Sequence, residues 1–164
     1  MDADAFRHFY GYHFAENRKV WDRYIVPLPY EEFVQQVNYS HHSVRDQIVH
    51  IMNVDHAWFS GLRGMENPES YTPAGIDDRN TIRAHWDDVE KNMREDLAAV
   101  QDDMLFKQPF AKGEDKDVTL WQVLRHVANH GTDHRAQVLR SLSDLGAKTG
   151  PQDYLFHIYD NMQK

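Results

Sequence analysis

The sequence contains no cysteine. That absence removes disulfides, thiolate nucleophiles and thiolate metal sites together. It also contains no apolar run near the roughly 18 residues that a membrane helix needs, so no membrane partner is expected. Chain breakers are scarce, with 8 Gly and 6 Pro in 164 residues, below the usual combined share of about 12%. That scarcity favours helix. There is no basic surplus either: 18 Lys and Arg stand against 26 Asp and Glu, a formal net charge of −8. Such a chain repels phosphate backbones, which argues against nucleic acid as a partner. The opening residues Met1-Asp2-Ala3-Asp4 are acidic where a secretory signal is basic. Nothing calls for an oxidising compartment, so the expected location is the cytoplasm.

What is present is histidine, 11 residues of it. With no thiolate available, any transition metal must be held by imidazole and carboxylate. Apolar residues make up 41% of the chain, enough for a core in a single domain spanning 1–164.

Four long segments carry helical periodicity, and strand-like alternation is rare. The first runs from about Asp4 to Tyr24, with Phe6, Phe9, Tyr10, His13, Phe14, Asn17, Val20 and Trp21 recurring three and four apart. Pro27 and Pro29 end it, and Pro29 opens a short turn over Tyr30–Gln36. The second starts at Ser43, an N-cap residue with Asp46 three on. It presents Val44, Ile48, Ile51, Val54, Trp58 and Leu62, and ends at Gly61 and Gly64. Residues 65–78 form a long connection, of the length that crosses a bundle or carries function. The third helix covers about Asn80 to Val100, with Ile82, Trp86, Val89, Met93 and Leu97 as its stripe. Residues 103–119 suggest a small hairpin, in which Met104–Phe106 and Val118–Leu120 flank Gly113-Glu114-Asp115. The fourth helix covers about Leu120 to Leu145, and Gly146 is placed to end it. Tyr154, Leu155, Phe156, Ile158 and Tyr159 make the tail too apolar to hang free. The expectation is an all-α, four-helix bundle with one long crossover connection.

The fourth helix carries the chemistry. His126, His130 and His134 stand at i, i+4 and i+8, and residues four apart share a helix face. The line Leu120, Leu124, Val127, His130 or Gly131, His134, Val138, Leu142 turns His130 and His134 inward, where bundles build metal sites. His50, on the edge of the second helix's apolar face, is the best third ligand. His56, about 240° further round the helix, cannot share its site. Buried histidines satisfied by ordinary hydrogen bonds explain the same pattern. Gly131, unfavourable in mid-helix by about 0.8–1.0 kcal/mol against Ala, marks either a close approach to the backbone or close helix packing. Asp46 either orients His50 or complements the helix dipole. His126, Asp133 and Arg135 are rim groups or ordinary surface pairs. A zincin needs Glu directly after the first His, and Gly131 stands there. Di-iron bundles need Glu-x-x-His on two helices, and the chain has none. Phosphate loops, nucleophile elbows and basic stripes are also lacking.

His50-Ile51 followed by Trp58, together with Leu120-Trp121 through Asn129-His130-Gly131-Thr132-Asp133-His134-Arg135-Ala136-Gln137, resembles the DinB/YfiT-like helical metalloenzymes. This is the damage-inducible bundle family, not the polymerase of that name. Tyr12–Arg18, Ala84-His85-Trp86, Leu145-Gly146 and Pro151–Tyr154 extend the resemblance along most of the chain. Asp133 and Ala136 depart from it, since the family often has His and Gly there. The resemblance implies one divalent transition metal, Zn, Ni or Fe, held by His50, His130 and His134. It implies a small-molecule substrate and a thiol-dependent transferase or hydrolase using a low-molecular-weight thiol cosubstrate. A non-catalytic metal-binding or structural bundle is the rival reading. A homodimer is expected, because relatives often pair and Phe9, Trp21 and Phe59 lie beyond a single apolar stripe.

Overall fold

The computed structural model describes residues 2–66, 68–72 and 75–162. Among these there are six α-helices and no strand. Helix α1 (Ala3–Val20) begins where Asp2 accepts a hydrogen bond from the Ala5 N–H at 2.8 Å. It widens into a π-helical turn over Trp21–Ile25, and the prolines beyond prevent continuation. Helix α2 (Tyr30–Phe33) is a single turn behind Pro29. Helix α3 (Val44–Leu62) starts at Ser43, whose hydroxyl accepts from the Asp46 N–H at 3.1 Å. It stops at Gly64, where φ is +69°. There the Gly64 and Met65 amides donate back to the carbonyls of Gly61 and Ser60 at 2.9 and 3.1 Å, the glycine-terminated cap that satisfies a helix's last carbonyls. Helix α4 (Arg79–Ala99) is capped by Asp78. Helix α5 (Leu120–Asp144) closes at Gly146 by the same cap as α3. Helix α6 (Tyr154–Met162) completes the set.

Helix α5 packs on α1 and α3, and α4 packs on the same two, so the four long helices close a ring. Phe6, Tyr10, Ile48, Met52, Trp86, Met93, Leu124 and Val127 fill its interior. No helix among the described residues is long and apolar enough to cross a membrane.

The expectations for a hairpin and for surplus apolar surface need correction, and the one for the tail holds in part. Residues 103–119 form no hairpin; they hold two 3₁₀ turns, Asp102–Met104 and Glu114–Asp117. The two stretches do meet, but the amides of Leu120 and Trp121 donate to the carbonyls of Lys107 and Leu105 at 2.9 Å each. Those amides are orphan donors at the start of α5, so the contact caps a helix instead of building a sheet. The tail packs on one side only. Tyr154 meets Phe9 and Tyr12 edge-on, while Leu155, Phe156, Tyr159 and Met162 face outward. Trp21 and Phe59, expected as surplus apolar surface, lie in the core.

The inward line of α5 is also rotated from the expected one. Gly131 and Arg135 are buried, and His130 and His134 are half-buried beside them. The cause is a polar network in the core. The Arg135 side chain, 0% exposed, donates to Asn17 Oδ1 at 2.8 Å, Thr132 Oγ1 at 3.0 Å and Gln152 Oε1 at 3.0 Å. It also faces His13 Nδ1 at 3.2 Å. A guanidinium only donates, so Nδ1 accepts here, while Nε2 lies between Asn17 Nδ2 at 3.1 Å and Asp55 Oδ2 at 3.3 Å. The His13 ring occupies the space that a Cβ at position 131 would fill. Glycine therefore stands there for an imidazole, not for a metal.

Gly131→Ala sets a severe overlap with the His13 ring, in the upper part of the overpacking range at about 2–3 kcal/mol, against a helix-propensity gain of about 1 kcal/mol. A net loss of about 1–2 kcal/mol lowers Tm by about 2–8 °C for a chain of this size. Thermal unfolding by circular dichroism measures it, and an unchanged or raised Tm would contradict the placement of His13.

Candidate metal centre

The seam between α3 and α5 gathers histidines. His50 projects from α3, and His130 and His134 project from successive turns of α5. The structure brings the three together: ring centroids lie 5.0 Å apart for His50 and His130, 4.5 Å for His50 and His134, and 4.2 Å for His130 and His134. His50 Nε2 and His130 Nε2 are 3.1 Å apart. Two nitrogens bonded at about 2.0–2.1 Å to one tetrahedral ion sit about 3.3–3.4 Å apart, so this pair has nearly the spacing of two corners.

A fourth ring joins them. His41, on the segment before Ser43, stacks on His50 with centroids 3.7 Å apart and planes 21° apart. Nitrogens of His41, His50 and His134 all lie within 4.8 Å of one another. Periodicity could not find His41, because it sits outside any helix. The signal available was proximity in sequence, two residues before the N-cap of the helix that carries His50.

His41, His50 and His130 are biased toward their neutral forms. Burial and the neighbouring His41 and His134 push the His50 pKa down to about 4. Burial, then His134, His50, His126 and His41, pushes His130 down to about 3. Burial lowers His41 as well. Imidazoles that resist protons keep their lone pairs free for a metal. His130 Nδ1 is buried with no hydrogen-bond partner among the described residues, while its Nε2 faces His50 Nε2. The donor set therefore fits a divalent transition ion, with nitrogen ligands only.

Gln47, buried under the cluster, organises one side of it. Its Nε2 lies 2.6 Å from His134 Nδ1 and donates to Gln137 Oε1 at 2.8 Å. Its Oε1 accepts from the His41 amide at 3.2 Å. In this arrangement His134 Nδ1 accepts, and a neutral ring carries its proton on Nε2. Ligation through Nε2 requires the other tautomer, with Nδ1–H donating to a carbonyl oxygen as metal-bound histidines commonly do. Turning the Gln47 carboxamide end over supplies that acceptor, and Gln137, whose Oε1 now accepts from Gln47 Nε2, has to turn with it.

The remaining sequence-selected residues stay outside. Asp46 pairs with Arg45 at 3.0 Å, not with His50. His56 stacks on Tyr71. Asp133 is exposed and accepts from Gln137 at 3.1 Å. Arg135, expected at the rim, is in the core. His126 is exposed, 6.1 Å from His130 and 5.1 Å from Trp58 between ring centroids. Trp58 in turn lines a hollow of about 330 Å³ with Ala57, Gly61, Met65, Phe110 and Asp115. That hollow lies further along the seam and contains none of the clustered histidines.

The sequence profile of the DinB family matches residues 1–163. The chain is also similar to Protein DinB of Bacillus subtilis (strain 168), 23% identical over 167 residues that cover 97% of this chain and 96% of that protein.

The depressed imidazole pKa values set a sign for acid stability. An unfolded histidine takes up a proton near pH 6.5, whereas folded His50 and His130 wait until about 4 and about 3. Between those limits the unfolded state binds more protons, so stability falls as pH falls. Chelator-treated protein should lose Tm between about pH 6.5 and 4, and His130→Asn should flatten that slope. Equal slopes for wild type and variant would show that His130 is not held neutral.

Proposed function

The chain belongs to the DinB family, and we propose that it is a metal-dependent enzyme of that family, built as a four-helix bundle with one long crossover. The observation that carries the proposal is the convergence of His50, His130 and His134, with two of these rings held neutral far below pH 7. These three would hold one divalent ion, Zn²⁺, Ni²⁺ or Fe²⁺, all of which suit imidazole. Such an ion, when bound with an open position, lowers the pKa of coordinated water or stabilises a substrate thiolate. The chain's own residues do the rest. Gln47 fixes the ring orientation of His134. The Arg135–His13 network holds α5 so that both of its histidines face the seam. The hollow beside Trp58 and Phe110 offers apolar surface for the body of a small substrate.

The reaction class is thiol transfer or hydrolysis. The chain supplies no thiol, so for transfer the thiol arrives as a low-molecular-weight cosubstrate. We place the enzyme in the cytoplasm and propose that it works as a homodimer; the outward apolar side of α6 supports pairing. A second reading, a metal-binding bundle without catalysis, draws support from His41, since a fourth fixed nitrogen would fill a tetrahedral site.

Elemental analysis of protein purified without chelator should give about one divalent transition ion per chain. His130→Ala and His134→Ala should abolish tight uptake, while His126→Ala and His56→Ala retain it. Metal counts near zero with no uptake of added Zn²⁺ or Ni²⁺ would overturn the proposal, and a His126→Ala loss equal to that of His134→Ala would shift the site along α5. Turnover of electrophiles with small thiols, lost on chelation, separates the enzyme from the second reading.

A further inference from the structure

We propose that His41 is an exchangeable fourth ligand, carried by the segment before α3, which alternates between a place stacked on His50 and a bond to the ion. The inference rests on the three-histidine site proposed above.

Four observations point to it. His41 is near enough, with a nitrogen within 4.8 Å of those of His50 and His134. Its present orientation is not that of a fixed ligand. With planes 21° apart and centroids 3.7 Å apart, its in-plane lone pair runs beside that of His50 instead of meeting it at one point. Rotation about its own side-chain bonds converts the stacked ring into a bonded one. The segment is also conformationally unusual, since both residues flanking His41 have left-handed backbones, Ser40 at φ +49° and His42 at φ +67°. Non-glycine residues hold such angles only where surrounding contacts impose them, and they collect at functional sites. Here the contacts are the His42 carbonyl accepting from the Val37 amide at 2.5 Å, the His41 carbonyl accepting from Ser43 at 2.8 Å, and the Ser40 hydroxyl bonding Gln137.

The fourth observation links His41 to the metal. Its amide donates to Gln47 Oε1, while the other end of that carboxamide meets His134 Nδ1. When His134 ligates through Nε2, its Nδ1–H needs an acceptor, and the carboxamide must present oxygen to it. The same turn takes that oxygen away from the His41 amide. Loading His134 therefore releases a tie that parks His41, and frees the ring to reach the ion. The site is closed when His41 is bound and open to an outside ligand when it is stacked. Exchange is a simple substitution: one neutral imidazole nitrogen leaves the ion as one outside donor atom joins it.

The test uses full-length protein loaded with Co²⁺ as a spectroscopic probe. Wild type, His41→Ala, His41→Gln and His134→Ala are compared by chelator competition and visible absorption. His41→Ala and His41→Gln should bind Co²⁺ about 10–100-fold more weakly, the range seen when support around a metal is lost, with a changed d–d spectrum. Free imidazole added to His41→Ala should restore the wild-type spectrum, a response that damage to the fold would not give. Affinity and spectrum unchanged in both His41 variants, with binding lost in His134→Ala, would overturn the role of His41 and leave the three-histidine site standing. No Co²⁺ uptake by wild type, or unchanged binding in His134→Ala, would overturn the site and His41 with it.

Discussion

The buried guanidinium of Arg135 is the constraint on which the arrangement of this protein depends. A charge taken fully out of water must be surrounded by acceptors. Asn17, Thr132, Gln152 and the bare nitrogen of His13 provide them. Meeting them fixes the rotation of α5 against α1, and Gly131 lets the His13 ring come up to the α5 backbone. Two buried residues of α5 each have a histidine one position before them: His130 precedes Gly131 and His134 precedes Arg135. With Gly131 and Arg135 turned to the core, both histidines are left on the seam facing α3. His13 also reaches Asp55 on α3, so the same network ties together the three helices around that seam. Gln152 carries it on to the segment after α5, and Tyr12 closes it by bonding the Gln152 carbonyl.

The helices were legible because their boundaries rest on local chemistry. Ser43, Pro29, Gly64 and Gly146 act through their own backbones and nearest neighbours, so their roles could be read from sequence. The tertiary use of polar residues could not. Arg135 reads as a surface residue because isolated Arg is nearly always exposed, and the acceptors that make its burial tolerable include Asn17 and His13, 118 and 122 positions away. Gly131 was legible as an anomaly but not as to cause. The hairpin expected over 103–119 failed because the two apolar stretches do meet, yet one already belongs to a helix start whose free amides take the carbonyls of the other.

The closeness of the His50, His130 and His134 rings was legible from i, i+4 spacing plus one histidine on a facing helix, but the set whose nitrogens converge has His41 beside His50 and His134. His41 and Gln47 were not, since a loop residue has no periodicity and a glutamine on an apolar stripe carries no mark of its partner. Both matter chemically. Gln47 meets Nδ1 of His134, and on the proposal made above His41 sets whether a bound ion has an open position. On that proposal, the difference between a catalytic centre and a closed site rests on two residues that helical periodicity does not mark.

X-ray absorption spectroscopy of the metal-loaded protein tests the central claim most directly, because it reads the ligand atoms themselves. The account predicts a first shell of nitrogen or oxygen at about 2.0–2.1 Å, with the outer-shell scattering of at least three imidazole rings. A first shell of oxygens without imidazole scattering would contradict it, and would move the metal from the histidine seam to the carboxylates of the surface.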